Sequence, residues 1–111
     1  MSNNTEYKLT LLKVRNFNWR PHNAIAIIAD LRFFSEDAMY AIDNNGKCNN
    51  LCDWREYESE LTEFSKRYPD VLFTLDIFDE ESGDIRRDYF HNGNHQKAVV
   101  NETYSKFEVK Q

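Results

Sequence analysis

Apolar and polar residues first alternate at Tyr7-Lys8-Leu9-Thr10-Leu11. A period of two predicts a strand with one buried face. The strand extends loosely to Phe17, and Asn18-Trp19-Arg20-Pro21-His22 breaks the pattern. Pro21 suits the first turn of a helix, where its missing N–H costs little. Ala24, Ile27, Ile28, Leu31 and Phe34 then recur at helical spacing, which predicts a helix over Asn23 to Phe34. Ile25 and Ala26 leave that helix little polar face, so a buried strand stays open for the same residues. Ala38-Met39-Tyr40-Ala41-Ile42 is short and apolar and reads as a second strand, followed by a loop at Asp43-Asn44-Asn45-Gly46.

The clearest element runs from Asp53 to Tyr68. Trp54, Tyr57, Leu61, Phe64 and Tyr68 form an apolar stripe at intervals of three and four, the spacing of a helix buried along one face. Asp53 is placed to cap the first turn, and Glu56 stands where a capping box wants a Glu. Acids precede Lys66 and Arg67, which suits the helix dipole, and Pro69 stops the helix. Val71 to Phe78 is β-branched and aromatic, with Val71, Phe73, Leu75 and Ile77 on one face. Asp79 to Gly83 reads as a turn and Asp84 to Phe90 as the next strand. Asn92-Gly93 is a type I′ hairpin signal, and Gln96 to Phe107 supplies the last strand.

The order is therefore β-α-β-α-β-β-β. Helices that follow one strand and precede another pack on one face of the sheet, so the expected class is an α+β sandwich of ferredoxin-like type with an antiparallel-rich sheet. At 111 residues the chain reads as one domain, with 1–6 as a disordered tail. Glu63 to Phe73, then Glu81-Ser82-Gly83-Asp84-Ile85, then Tyr89-Phe90-His91-Asn92-Gly93 resemble, in the same order, a family of small, mostly uncharacterised proteins from phages, plasmids and bacterial genomes. That resemblance implies a ferredoxin-like fold and a mobile-element setting. It implies no activity and no catalytic residue.

Charge changes the picture more than composition does. Hydrophobic residues at 41% and aromatics at 14% favour a packed core over disorder. No apolar run approaches a membrane span, and the N-terminus lacks the basic and apolar regions of a signal peptide, so the expected location is cytoplasmic. The net charge of −5 weighs against general nucleic-acid binding. It is unevenly spread: residues 53–84 carry eleven acids and three bases, a net −8, between segments that are net basic or mildly acidic. Such a block marks either a solvated face or a binding surface.

Candidate chemistry is sparse. Three residues separate Cys48 and Cys52, not the two of common zinc knuckles, and the pair would need His91 and His95 to complete a site. The expectation is no metal, no cofactor and two reduced thiols. There is no phosphate-binding loop, dinucleotide fingerprint or nucleophile elbow. The expected function is non-enzymatic: a protein-binding module whose carboxylates stand where a basic partner's phosphates would. Its candidate contact residues are Glu56, Glu60, Glu63, Asp79, Glu80, Glu81 and Asp84. In a mobile-element setting this suggests an inhibitor of a host defence enzyme, such as a CRISPR–Cas nuclease. The alternative is a weak RNA- or DNA-binding or ribonuclease-like protein. It would use Arg86, Arg87 and His91, with Arg15, Arg20, Lys97, His95 and the aromatics Trp19 or Tyr89. Asp76, inside an apolar strand, is expected to pair with Arg86 or Arg87.

Overall fold

The computed structural model describes residues 4–14 and 21–99. Expectations for 15–20, including Arg15, Trp19 and Arg20, and for the final strand beyond Val99 lie outside the described residues. The elements are β1 (Thr5–Lys13), α1 (Pro21–Phe34), α2 (Glu36–Ala41), α3 (Tyr57–Ser65), β2 (Val71–Asp79), β3 (Ile85–His91) and β4 (Asn94–Val99). The fold is α+β: a four-stranded antiparallel sheet in the order β1-β2-β3-β4, with helices on one face.

Alternation along the strands sets the two layers. Thr5, Tyr7 and Leu9 of β1 are buried and pair with Asp79, Ile77 and Leu75 of β2. Val71, Phe73, Leu75 and Ile77 therefore face the helices, as their spacing predicts. Phe73 pairs in turn with Phe90 of β3. On this face the α3 stripe closes the core: Trp54, Leu61 and Phe64 are fully buried and Tyr57 nearly so. Phe64 meets Phe73 edge-on at 5.8 Å, and Tyr57 meets Phe90 at 6.5 Å. Each such side chain contributes about 1.5–3 kcal/mol of burial. Ile27, Ile28 and Leu31 make α1 a helix that joins the same core, so 21–34 is helical and the strand alternative falls away.

Three expectations are corrected. The strand expected at 38–42 is instead α2. Ser35 caps it by accepting from the Ala38 N–H, and Ala38 and Ala41, three apart, are both fully buried. The chain order is thus β-α-α-α-β-β-β. Secondly, α3 begins at Tyr57, and its N-cap, Glu56, makes no side-chain cap bond. The 53–56 segment stays out of the helix because Trp54 is used elsewhere: its N–H donates to the Tyr7 hydroxyl at 2.9 Å and its ring meets Tyr7 at 5.7 Å. Thirdly, Thr5 and Glu6, expected in the tail, are paired in β1 with Asp79 and Phe78.

The β3–β4 hairpin follows its signal. Asn92 and Gly93 take φ of 46° and 82°, as a type I′ turn needs. The outer edge of β1 is covered by the loop after α2, where Leu9 N–H donates to Gly46 at 2.7 Å and Cys52 N–H to Thr5 at 3.1 Å. Covering an edge removes a template for unwanted pairing.

Candidate functional site

The packing brings the β2–β3 turn beside the N-terminal end of α3. A cleft of about 260 Å³ lies between them, with Asp53, Asp79 and Asp84 on its walls and Tyr57 and Arg86 among its other lining groups. Asp79 accepts from the Glu81 N–H at 2.9 Å and so shapes the turn. Glu80 and Asp84 are exposed. Glu81 accepts from the Asn4 side chain at 3.1 Å. Glu56 is exposed at the start of α3.

Two of the expected contact residues do not belong to this surface as free acids. Glu60 is half-buried and accepts from Ser35 Oγ at 2.5 Å and from Trp54 Nε1 at 2.9 Å. Its carboxylate thus ties α2, α3 and the 53–56 turn together. Glu63 sits further along α3, paired with Lys66 at 3.1 Å, whose stem packs beside Gly93 of the opposite hairpin. Periodicity puts both on the wet side of α3. Only the arrival of Ser35 and Trp54 from elsewhere in the chain distinguishes Glu60.

Other acids take their place. Glu36 and Asp37 are exposed on α2. The Asp37 carboxyl is held above its ordinary range, first by desolvation and then by the negative charges of Glu60, Glu36, Asp53 and Glu56. Like charges from α2, the 53–56 turn and α3 therefore converge. The available signal is the acidic first turn behind Ser35, which a strand at 38–42 conceals.

The basic candidates are engaged. Arg87 pairs with Asp76 across the strands, Nε to Oδ1 at 2.5 Å and Nη2 to Oδ2 at 3.2 Å, and this partner raises its pKa. Arg86 donates to the Tyr57 hydroxyl, lies over that ring at 5.6 Å and stands 3.7 Å from Asp88. Tyr89 is only 8% exposed, so it offers no stacking platform. His91 and His95 flank the turn on opposite faces, because His91 pairs with Asn94 and His95 with Phe90. His91 Nε2 lies 2.9 Å from the Pro69 carbonyl oxygen. Among the described residues no group of three or more His, Cys, Asp or Glu is arranged to hold a metal ion.

A second polar cluster, absent from the expectations, docks α3 onto β3 and β4. Asp88 is fully buried on the helix side of the sheet and takes His95 Nε2 at 3.0 Å. The His95 ring stacks on Phe90 at 4.5 Å, and its Nδ1 lies 3.9 Å from Glu58. Glu58 pairs with Lys97 at 2.9 Å, and this bond holds its carboxyl below the usual value. Burial, and then the Asp88 carboxylate, push Tyr57 well up. Each of these groups has a structural partner.

Cys48 and Cys52 are both free thiols. Burial, followed by the charges of Asp37 and Cys48, pushes Cys52 up to about 11 from an ordinary 9.0. Only the thiolate alkylates. In the folded chain Cys52 should therefore react with iodoacetamide at pH 8 roughly a hundredfold more slowly than after denaturation. Peptide mapping of timed labelling tests this, and equal rates in the two states would remove the thiol from its buried setting.

Compared with protein-family models, curated proteins and solved structures, the chain matches none. Among the described residues, no helix is long and apolar enough to cross a membrane.

Proposed function

We propose that the chain is a non-enzymatic protein-binding module whose acidic end engages a basic surface on another protein. The observation that carries this is the convergence of carboxylates from separate segments: Glu36 and Asp37 of α2, Asp53 and Glu56 before α3, and Asp79, Glu80 and Asp84 of the turn. Gathering like charge at one end costs stability through self-repulsion and raises a field that steers a cationic partner. Arg and Lys clusters that bind phosphates bind carboxylates by the same charge-assisted bonds. The partner class that fits is thus a nucleic-acid-handling enzyme. In the mobile-element setting of the family resemblance, it is a host defence nuclease such as a CRISPR–Cas effector. Nucleic acid itself is not the ligand in this reading, since Arg86 and Arg87 are already paired.

The test uses exposed acids only. A partner is isolated by affinity capture with the intact chain, and its association rate is measured against Glu36→Lys with Glu56→Lys, and separately against Glu80→Lys with Asp84→Lys. Each pair should slow association about tenfold at low salt. The difference should shrink as salt brings the screening length to ~8 Å. DNA should compete for the same partner. Unchanged rates and salt dependence in both variants would reduce the acidic end to a solvated surface.

A further inference from the structure

The acidic end is not purely polar. Met39 is 47% exposed, Tyr40 56% and Leu51 39%, beside the acids of α2. On α2 the buried residues are Ala38 and Ala41, so Glu36, Asp37, Met39 and Tyr40 make up its outward face. Residues three and four apart on a helix are neighbours, which sets Tyr40 against both Asp37 and Glu36. The following loop is pinned to the same helix: Asn50 Nδ2 donates to the Tyr40 carbonyl at 2.9 Å and Asn49 Nδ2 to the Met39 carbonyl at 3.4 Å. Leu51 follows directly, and beyond it Cys52 and Asp53 lie within the electrostatic reach of Asp37. Apolar and acidic side chains are thus interleaved on one surface built from two segments.

Resting on the function proposed above, we infer that Met39, Tyr40 and Leu51 are the apolar anchors of the interface, and that its occupant is a basic amphipathic segment of the partner protein. Charge complementarity selects that occupant. A second copy would set Glu36 and Asp37 against their own kind across a two-fold axis, in a chain whose net charge is already −5. An anionic membrane would be repelled in the same way. A segment with Lys or Arg on one side and apolar residues on the other satisfies both features. Tyr is enriched among the side chains that carry binding energy, and Met among those found at interfaces.

The experiment titrates the full chain with three synthetic helical peptides of equal length. One has Lys and Leu on opposite faces, one has Lys with Ser in place of Leu, and one has Glu with Leu. The readouts are fluorescence anisotropy and NMR shifts. The Lys/Leu peptide should bind tightest and shift the Met39, Tyr40 and Leu51 signals. Tyr40→Ser and Leu51→Ser should each weaken it about tenfold. Leu12→Ser, an equally exposed site on the far face of the sheet, should leave binding unchanged. An unaltered melting temperature certifies that each variant is folded. If the Lys/Ser peptide binds as tightly as Lys/Leu, the anchors are refuted while the acidic reading stands. If neither Lys peptide binds, both fail. Preference for the Glu/Leu peptide, or dimerisation of the chain by sedimentation that Tyr40→Ser abolishes, overturns the basic occupant.

Discussion

Replacing Asp88 with alanine should cost about 3–5 kcal/mol of folding stability, the usual penalty for breaking a buried charged pair. Asp88 is 0% exposed, holds His95 Nε2 at 3.0 Å and stands 3.7 Å from Arg86. Its Oδ1 has no hydrogen-bond partner, so the carboxylate depends on the His95 imidazole and the Arg86 guanidinium. Without it, the Arg86 guanidinium and the Tyr57 hydroxyl lose the group they gather around, and α3 loses its polar seat on β3 and β4. His95→Ala should cost less, about 2 kcal/mol, because Arg86 still faces the buried carboxylate. The measurement is urea unfolding, with the double variant added to separate the pair from its surroundings. A loss below about 1 kcal/mol for Asp88→Ala, typical of a surface site, would mean that the cluster is incidental to stability. The consequence for function is indirect. The network holds Arg86 against the cleft wall, so this base beside Asp79 and Asp84 is committed to the fold.

Gly46→Ala should be nearly as damaging. Gly46 has φ +81°, and a Cβ there would overlap the Leu9 carbonyl oxygen and press within 3.3 Å of Ile28 Cδ1. The obstacle is backbone in the edge strand, which cannot swing away as a side chain could. Left-handed strain alone costs about 1–2 kcal/mol. The clash must also push the loop off β1, losing the 2.7 Å bond from Leu9 N–H to the Gly46 carbonyl. Together these should exceed about 3 kcal/mol. Gly83→Ala is the control: its φ is +78°, yet nothing lies within 4 Å of the added carbon. It should cost only the about 1–2 kcal/mol of the left-handed backbone. Thermal unfolding of the two variants side by side decides the matter, and equal losses would show that the close approach to β1 carries no weight.

These two sites differ from the acidic end in what they report. Asp88 and Gly46 hold the scaffold, and their effects read out as unfolding. Glu36, Glu56, Glu80 and Asp84 are exposed, so their reversal should leave the fold in place and change only the rate of meeting a partner. Glu60 crosses that division. It counts toward the acidic charge, but its bonds to Ser35 and Trp54 mean that its removal would damage packing and binding together.

What was legible in the sequence was whatever local periodicity could encode. The stripe from Trp54 to Phe64, the alternation of β2 and the Asn92-Gly93 turn are each specified within one turn or a few residues, and each stands in the structure, whereas α3 ends at Ser65 and not at the Tyr68 expected before Pro69. The α+β class followed from them. The five apolar residues at 38–42 were too few to separate a period of two from one of 3.6, and Ser35 became a cap only once Ala38 and Ala41 had a core to enter. Tertiary structure alone decided the rest, because the partners are distant in sequence. The Tyr7 hydroxyl and Trp54 hold residues 53–56 out of α3. Ser35 converts Glu60 from a surface acid into a tie between helices. The pairing of His95 with Phe90 delivers His95 to Asp88 and parts it from His91. The net −8 of residues 53–84 was visible as a count, but its focus was not. Electrostatic potential depends on distance in space, and only folding brings α2, the 53–56 turn and the β2–β3 turn to one end of the molecule.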